Sequence, residues 1–290
     1  MAVINISNIN KSYGTKEVLT SLTLTFEENK IYGLLGRNGA GKTTLLNLIT
    51  DRLMLDSGEI TVDGEPIYEN DRALEKIYYM TERDLFPEEF KVKDVFKWTK
   101  EFYPGFEGDY ALKLAKKFEL NINKKIKELS TGYGSICKII AALASGAEVL
   151  IFDEPVLGLD ANHRELFYKE LMENYIQKPK TIILSTHIIE EVSTLIEKVI
   201  IIKEGKIITS DEAEELLNKA YTVSGLGENI ESYLKNKKVV NIEELASFKA
   251  ATIMGEISKE DKLLAEKLEL KFSKVELQKL FIYLTEREGA

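Results

Sequence analysis

The residues with the clearest chemistry are Gly36-Arg37-Asn38-Gly39-Ala40-Gly41-Lys42-Thr43, which follow the pattern of glycine, four residues, then Gly-Lys-Thr. That is the spacing of a phosphate-binding loop. Glycines let backbone N–H groups turn inward around phosphate oxygens, and the helix that follows presents its positive end to the anion. In such a loop Lys42 neutralises the β- and γ-phosphates of a nucleotide, and the Thr43 hydroxyl ligates Mg²⁺. A second piece of chemistry is Val149-Leu150-Ile151-Phe152, an apolar run that ends in Asp153-Glu154. A buried strand of this type delivers its carboxylates at its carboxyl end, where open parallel sheets bind ligands. Asp153 is expected to hold Mg²⁺ or its water. Glu154 is expected to orient and polarise the attacking water as general base.

Those groups need a scaffold, and the sequence describes one. Lys30 to Leu35 reads as a short strand feeding the glycine loop, and Lys42 to Ile49 as the helix after it. Leu22 to Phe26 alternates apolar and polar residues, as on a half-buried strand. Ser57 to Gly64 reads as a strand closed by an Asp-Gly turn. Lys91 to Leu120 is helical in its spacing, and so is Ser135 to Ala144. A regular alternation follows: strand 149–152, helix 164–175, strand 181–185, helix 188–196, strand 199–202. Strand–helix alternation of this kind predicts an α/β fold with a parallel sheet and crossover helices. Asp211 to Lys219 reads as a short acidic helix, and Gly225-Leu226-Gly227 as a linker-like turn after a strand at Tyr221–Ser224. Phe272 to Leu284 is amphipathic at helical spacing.

The composition narrows the setting. The chain has 290 residues, 44% of them hydrophobic and 30% charged, with only 5 prolines, which excludes a largely disordered or fibrous protein. Its 48 acids and 39 bases give a net charge of −9, so no general attraction to nucleic acid is expected. One cysteine, Cys137, closes no intramolecular disulfide, which fits a reducing compartment. The start, MAVINISNINKSYG, lacks the basic-then-apolar pattern of a signal peptide. The most apolar stretch, 136–152, is too short and too polar to span a bilayer, so any membrane part must come from another chain.

Several further segments arrive in an order that resembles ATP-binding cassette (ABC) ATPases. Leu129-Ser130-Thr131-Gly132-Tyr133 resembles the signature Leu-Ser-Gly-Gly-Gln, with Thr for the first Gly and Tyr for Gln. Leu157-Gly158-Leu159-Asp160 resembles the D-loop, Ser185-Thr186-His187 the switch histidine, and Tyr13 the aromatic that stacks on adenine. Tyr79-Met80-Thr81-Glu82 falls where the Q-loop lies, with Glu82 for the usual Gln. His163 reads as plain surface at a helix start. The resemblance spans residues 2–215.

This resemblance implies a phosphate-loop ABC ATPase with a parallel sheet core, an antiparallel β subdomain and a helical subdomain. It places an ATP-binding domain at 1–219, the helical subdomain at about 84–146, and a small C-terminal α+β appendage at 220–290. It implies ATP and Mg²⁺ as cofactors. ATP would be bound by Tyr13 and by Gly36 through Thr44 (with Arg37, Asn38, Gly39, Ala40, Gly41, Lys42 and Thr43), and the metal by Thr43, Glu82 and Asp153. Glu154, His187 and Lys42 would be catalytic. Ser130, Thr131 and Gly132 would reach the ATP of a second subunit, with Asp160 in the D-loop. The partners implied are a second ATPase subunit, identical or a sister chain, and an integral membrane permease at the cytoplasmic face of the membrane. The segment from Glu82 to Phe96 would meet the permease, with Asp84-Leu85-Phe86-Pro87 and Phe90 as the floor of that groove. The signature and size look most like Gram-positive exporters of peptide antibiotics or phenol-soluble modulin toxins. Set against this reading is a soluble ABC ATPase acting on ribosomes or DNA. Such chains usually carry two cassettes or long coiled-coil insertions, and neither is found here. A phosphate-loop GTPase would need Asn-Lys-x-Asp, which is also missing.

Overall fold

The computed structural model describes residues 2–83 and 86–286. In chain order its strands and helices are β1 (Ile4–Tyr13), β2 (Lys16–Phe26), β3 (Ile31–Leu35), α1 (Lys42–Ile49), β4 (Ser57–Val62), β5 (Glu65–Pro66), α2 (Asp71–Leu74), β6 (Ile77–Met80), α3 (Val92–Phe102), α4 (Gly108–Lys117), α5 (Thr131–Ala144), β7 (Val149–Asp153) and α6 (Ala161–Gln177). They continue with β8 (Thr181–Ser185), α7 (Ile189–Val192), β9 (Lys198–Lys203), β10 (Lys206–Glu212), α8 (Ala213–Asn218), β11 (Ala220–Leu226), α9 (Gly227–Tyr233), β12 (Lys238–Leu245), β13 (Phe248–Met254), α10 (Lys259–Lys267), β14 (Lys271–Lys274) and α11 (Leu277–Thr285). Packing divides the chain into two compact units, Met1–His187 with Ile200–Thr209, and Ile188–Val199 with Ser210–Ala290.

In the first unit, β3, β8, β7 and β6 pair in parallel. They belong to a six-stranded sheet of order β10-β9-β3-β8-β7-β6. Every residue of β3, β7 and β8 is buried, because helices cover a parallel sheet on both faces. The run Val149–Phe152 is therefore continuous in its apolarity rather than alternating. A second, antiparallel sheet runs β2-β1-β4-β5. Its β4–β5 turn has Asp63 at φ 53° and Gly64 at φ 80°, the two left-handed residues of the tight hairpin expected from Asp-Gly. The apolar faces of both sheets merge into one core that includes Ile4, Phe26, Leu34, Leu45, Ile151 and Ile183. Helices α3 and α4 each pack on α5.

In the second unit, an antiparallel sheet of order β12-β13-β11-β14 packs with α9 and α10 around Tyr221, Val223, Ile230, Tyr233, Ile253 and Ala265. Four local expectations change here. Gly225-Leu226-Gly227 is not a linker: β11 runs through Leu226, which pairs with Phe248, and α9 begins at Gly227. Gly225 serves close packing, since a Cβ there would lie 2.5 Å from Leu270 Cδ2. The amphipathic stretch 272–284 splits into strand β14 and helix α11. Pairing with β11 holds Phe272 in the strand, where its ring meets Tyr221 at 5.5 Å and Tyr233 at 5.9 Å. The acidic segment 211–219 keeps its first two residues in β10, so α8 starts only at Ala213. The helix expected over 188–196 spans Ile189–Val192.

Candidate active site

The glycine loop lies between β3 and α1, as its spacing requires. Gly41 ends it at φ 111° and serves as the N-cap of α1 without any side-chain cap. A Cβ at Gly41 would sit 2.6 Å from Leu19 Cδ2, so both conformation and space demand glycine. The first N–H groups of α1 are thus left for an anion. Lys42 Nζ donates to the Gly36 carbonyl at 2.7 Å. Burial pushes its pKa down, while Glu154 and Asp153 push it up less strongly.

Asp153 ends β7 buried, and three hydroxyls converge on it. Thr43 Oγ1 donates to Oδ2 at 3.0 Å, Tyr79 OH to the same oxygen at 3.2 Å, and Ser185 Oγ to Oδ1 at 2.9 Å. Burial and then the Asp153 charge raise the Tyr79 pKa well above its ordinary value, so the phenol stays protonated and can donate. The Thr43 hydroxyl and Asp153 carboxylate are hard oxygen donors of the kind Mg²⁺ prefers, and Mg²⁺ commonly uses one or two carboxylates plus substrate phosphates. Among the described residues no group of three or more His, Cys, Asp or Glu forms a self-sufficient metal cage. The residues therefore fit a magnesium ion held jointly with a nucleotide.

Glu154 follows at φ 51°, an uncommon backbone conformation for a side-chain-bearing residue, costing of order 1–3 kcal/mol. Its N–H is tied to the Ser185 carbonyl at 2.8 Å. His187 Nδ1 lies 2.7 Å from Glu154 Oε2. A carboxylate only accepts, so the imidazole N–H donates. A carboxylate oriented by a histidine just beyond the strand ends is suited to general-base work on a water.

The signature segment starts α5. Ser130 is its N-cap, with Oγ accepting from the Tyr133 N–H at 3.4 Å. A Cβ at Gly132 would approach the Gly158 carbonyl to 2.6 Å, and Ser135 Oγ donates to the Leu157 carbonyl at 3.0 Å. Gly132 is thus required for backbone contact with the D-loop, whereas exposed Thr131 has room for its side chain. Asp160 caps α6, accepting from the His163 N–H and from His163 Nδ1, each at 2.9 Å. These bonds, the backbone one first, hold its carboxyl below the usual range. His163 is therefore not plain surface. Its ring stacks on Phe118 at 6.2 Å and meets the edge of Tyr133 at 5.9 Å. The signal was the Asp-x-x-His spacing at a helix start.

Tyr13 stands 52% exposed at the end of β1, with Lys11 Nζ 5.8 Å from its ring centroid. Arg37, Asn38 and Gly39 are exposed on the loop, Ala40 is buried and Thr44 half-buried. Glu82 is exposed, and its carboxylate makes no hydrogen bond among the described residues. Its carbonyl instead accepts from buried Lys138 of α5 at 2.7 Å, and Thr81's at 3.1 Å. Sequence reading saw Lys138 only as an interruption of an apolar run. Beside this segment lies a cavity of about 790 Å³, with Tyr78, Phe86, Phe90, Trp98, Phe102 and Tyr103 in its lining. Trp98 stacks between Phe90 at 6.3 Å and Phe102 at 6.2 Å. Asp84 and Leu85, expected at this groove, lie outside the described residues.

This combination of sheet, phosphate loop and paired carboxylates defines a nucleotide-hydrolysing cassette. The sequence pattern of the ABC transporter family matches residues 19–157. An uncharacterized ABC transporter ATP-binding protein of Methanocaldococcus jannaschii is 32% identical over 250 residues, 83% of this chain and 86% of that protein. The Nod factor export ATP-binding protein I of Burkholderia lata is 31% identical over 224 residues, 75% of this chain and 73% of that one. A bacterial ABC transporter cassette solved as a dimer superposes with a TM-score of 0.64 at 24% identity, covering 72% of this chain and 98% of that chain. The chain belongs to the family of ABC transporter ATP-binding proteins. As an enzyme it is an ATPase of the transport-coupled class.

Proposed function

We propose that this chain is the nucleotide-binding subunit of an exporter, dimerising on ATP and driving a separate membrane permease that moves a peptide or an amphipathic toxin or antibiotic. The observation that carries this reading is the convergence of Thr43, Asp153, Glu154 and His187 where the glycine loop meets the carboxyl ends of β7 and β8.

In this reading ATP lies on Gly36–Thr44 with Tyr13 against adenine. Mg²⁺ would be held by Thr43, Glu82 and Asp153 and would supply charge neutralisation for the phosphates. Lys42 exchanges its bond to the Gly36 carbonyl for phosphate oxygens. Glu154 takes a proton from the attacking water, and His187 keeps that carboxylate oriented. Ser130, Thr131 and Gly132 complete the site of a second subunit, identical or a sister chain, and Asp160 lies in the D-loop at the same seam. ATP acts as the clamp's glue, and hydrolysis reopens it.

The permease reading is supported by the aromatic cavity and by the lack, among the described residues, of any helix long and apolar enough to cross a membrane. It places the chain at the cytoplasmic face of the membrane. We assign 1–219 to the cassette, about 84–146 to its helical subdomain and 220–290 to the appendage. Export draws support from the relative named for Nod factor export, and the peptide or toxin cargo from the Leu129–Tyr133 signature and the chain's size. The test is co-purification of tagged Glu154→Gln from gently solubilised membranes of its native host with Mg-ATP. A multi-spanning protein in fixed ratio is the expected outcome. Recovery only with ribosomal or DNA-associated partners would replace transport by the soluble reading.

A further inference from the structure

Tyr79 has one end in each of two places. Its hydroxyl is 3.2 Å from Asp153 Oδ2, the oxygen that also receives the Thr43 hydroxyl. Its ring helps line the 790 Å³ cavity and is covered by the Arg52 guanidinium, 4.9 Å from the ring centroid. The ring is almost wholly buried and sits on β6, which pairs in register with β7 and sets Tyr79 beside Ile151.

We propose that Tyr79 is a positioning residue for Asp153, fixing the orientation of its Oδ2 oxygen for metal. The argument rests on the reading of Thr43 and Asp153 as the magnesium holders. Thr43 has two duties, since its hydroxyl oxygen is also a prospective ligand, so its hold on Asp153 is not permanent. Ser185 grips the other oxygen, Oδ1, and alone leaves the carboxylate free to rock about that contact. Tyr79 supplies a donor to Oδ2 that no ligand competes for, at the end of a ring that cannot swing. A hydrogen bond to a charged group contributes substantially, and at 3.2 Å its loss is expected to weaken metal-assisted binding about tenfold.

Tyr79→Phe removes only the hydroxyl and leaves the ring under Arg52. The experiment is calorimetric ATP binding to the full chain carrying Glu154→Gln, with and without Tyr79→Phe, first in EDTA and then across a Mg²⁺ series. A parallel Mn²⁺ series is read by electron paramagnetic resonance. Expected is unchanged ATP affinity in EDTA, with the metal concentration for half-maximal binding raised about tenfold for both ions. An unchanged metal dependence would overturn the proposal. Equal weakening in EDTA would overturn it as well, marking Tyr79 as ordinary packing. If the parent chain binds ATP as well in EDTA as in Mg²⁺, the magnesium reading of Thr43 and Asp153 fails first and takes this proposal with it.

Discussion

At the scale of single residues, the site separates charge by environment. Asp153 is buried and accepts from three hydroxyls, while Glu154 follows it on a left-handed backbone within hydrogen-bond reach of His187. Glu154→Gln removes the base but keeps the shape. ATP binding should be retained and hydrolysis slowed by about 10²–10⁴-fold, the usual worth of a positioned general base, as read by phosphate release beside equilibrium ATP binding. Wild-type turnover would remove Glu154 from that role. Much of this was legible in the sequence because phosphate cradles and strand-end carboxylates have fixed spacing. The Tyr79 and Lys138 contacts, and the packing of His163 against Phe118 and Tyr133, were not. Each depends on where a side chain from one element ends against another, and a tyrosine in an apolar strand carries no mark of its distant partner.

At the scale of elements, local propensity predicted the buried parallel strands and the Asp-Gly hairpin, and failed where pairing overrode it. The sequence reads 272–284 as one amphipathic stretch, but Leu277, Leu280, Phe281 and Leu284 of its apolar stripe belong to α11, while Phe272 pairs through β14 with β11. Helix α10 is held at its start by a capping box in which Ser258 Oγ accepts from the Asp261 N–H at 3.1 Å and Asp261 accepts back from the Ser258 N–H at 3.0 Å. Burial pushes the Asp261 carboxyl up, but Lys237 and Ser258 outweigh it and leave its pKa below the reference of 3.8. A depressed carboxyl stabilises the fold above its unfolded pKa, and that contribution is lost as pH falls through the folded value. Asp261→Asn should therefore cost about 1–2 kcal/mol at pH 7, with the gap to the parent closing as pH drops below about 4. Urea unfolding followed by circular dichroism measures it, and a gap independent of pH would contradict the ionic role.

At the scale of the whole molecule, the proposed composite site would make function a property of two subunits rather than one. The signature cap and the D-loop of one chain are packed backbone to backbone through Gly132 and Gly158, so they must move as one piece. With ATP and Mg²⁺, Glu154→Gln should double in mass by light scattering, and with ADP it should not. Adding Gly132→Ala forces a methyl to within 2.6 Å of the Gly158 carbonyl. That strain, about 1–3 kcal/mol, should abolish the doubling while ATP binding by the single chain persists. A dimer formed equally by both variants would show that this contact is irrelevant to assembly.

The chain contains one tryptophan, and Trp98 stands 48% exposed in the aromatic wall of the cavity between Phe90 and Phe102. The protein thus carries an intrinsic fluorophore at a groove where the proposed membrane partner would seat. Its emission reports that groove without a label and without background from any second indole. Seating of an apolar segment dehydrates the ring and moves the spectrum to the blue, whereas a nucleotide event confined to the phosphate loop leaves its colour alone. Coupling between the two places then becomes visible as a spectral shift driven by ATP.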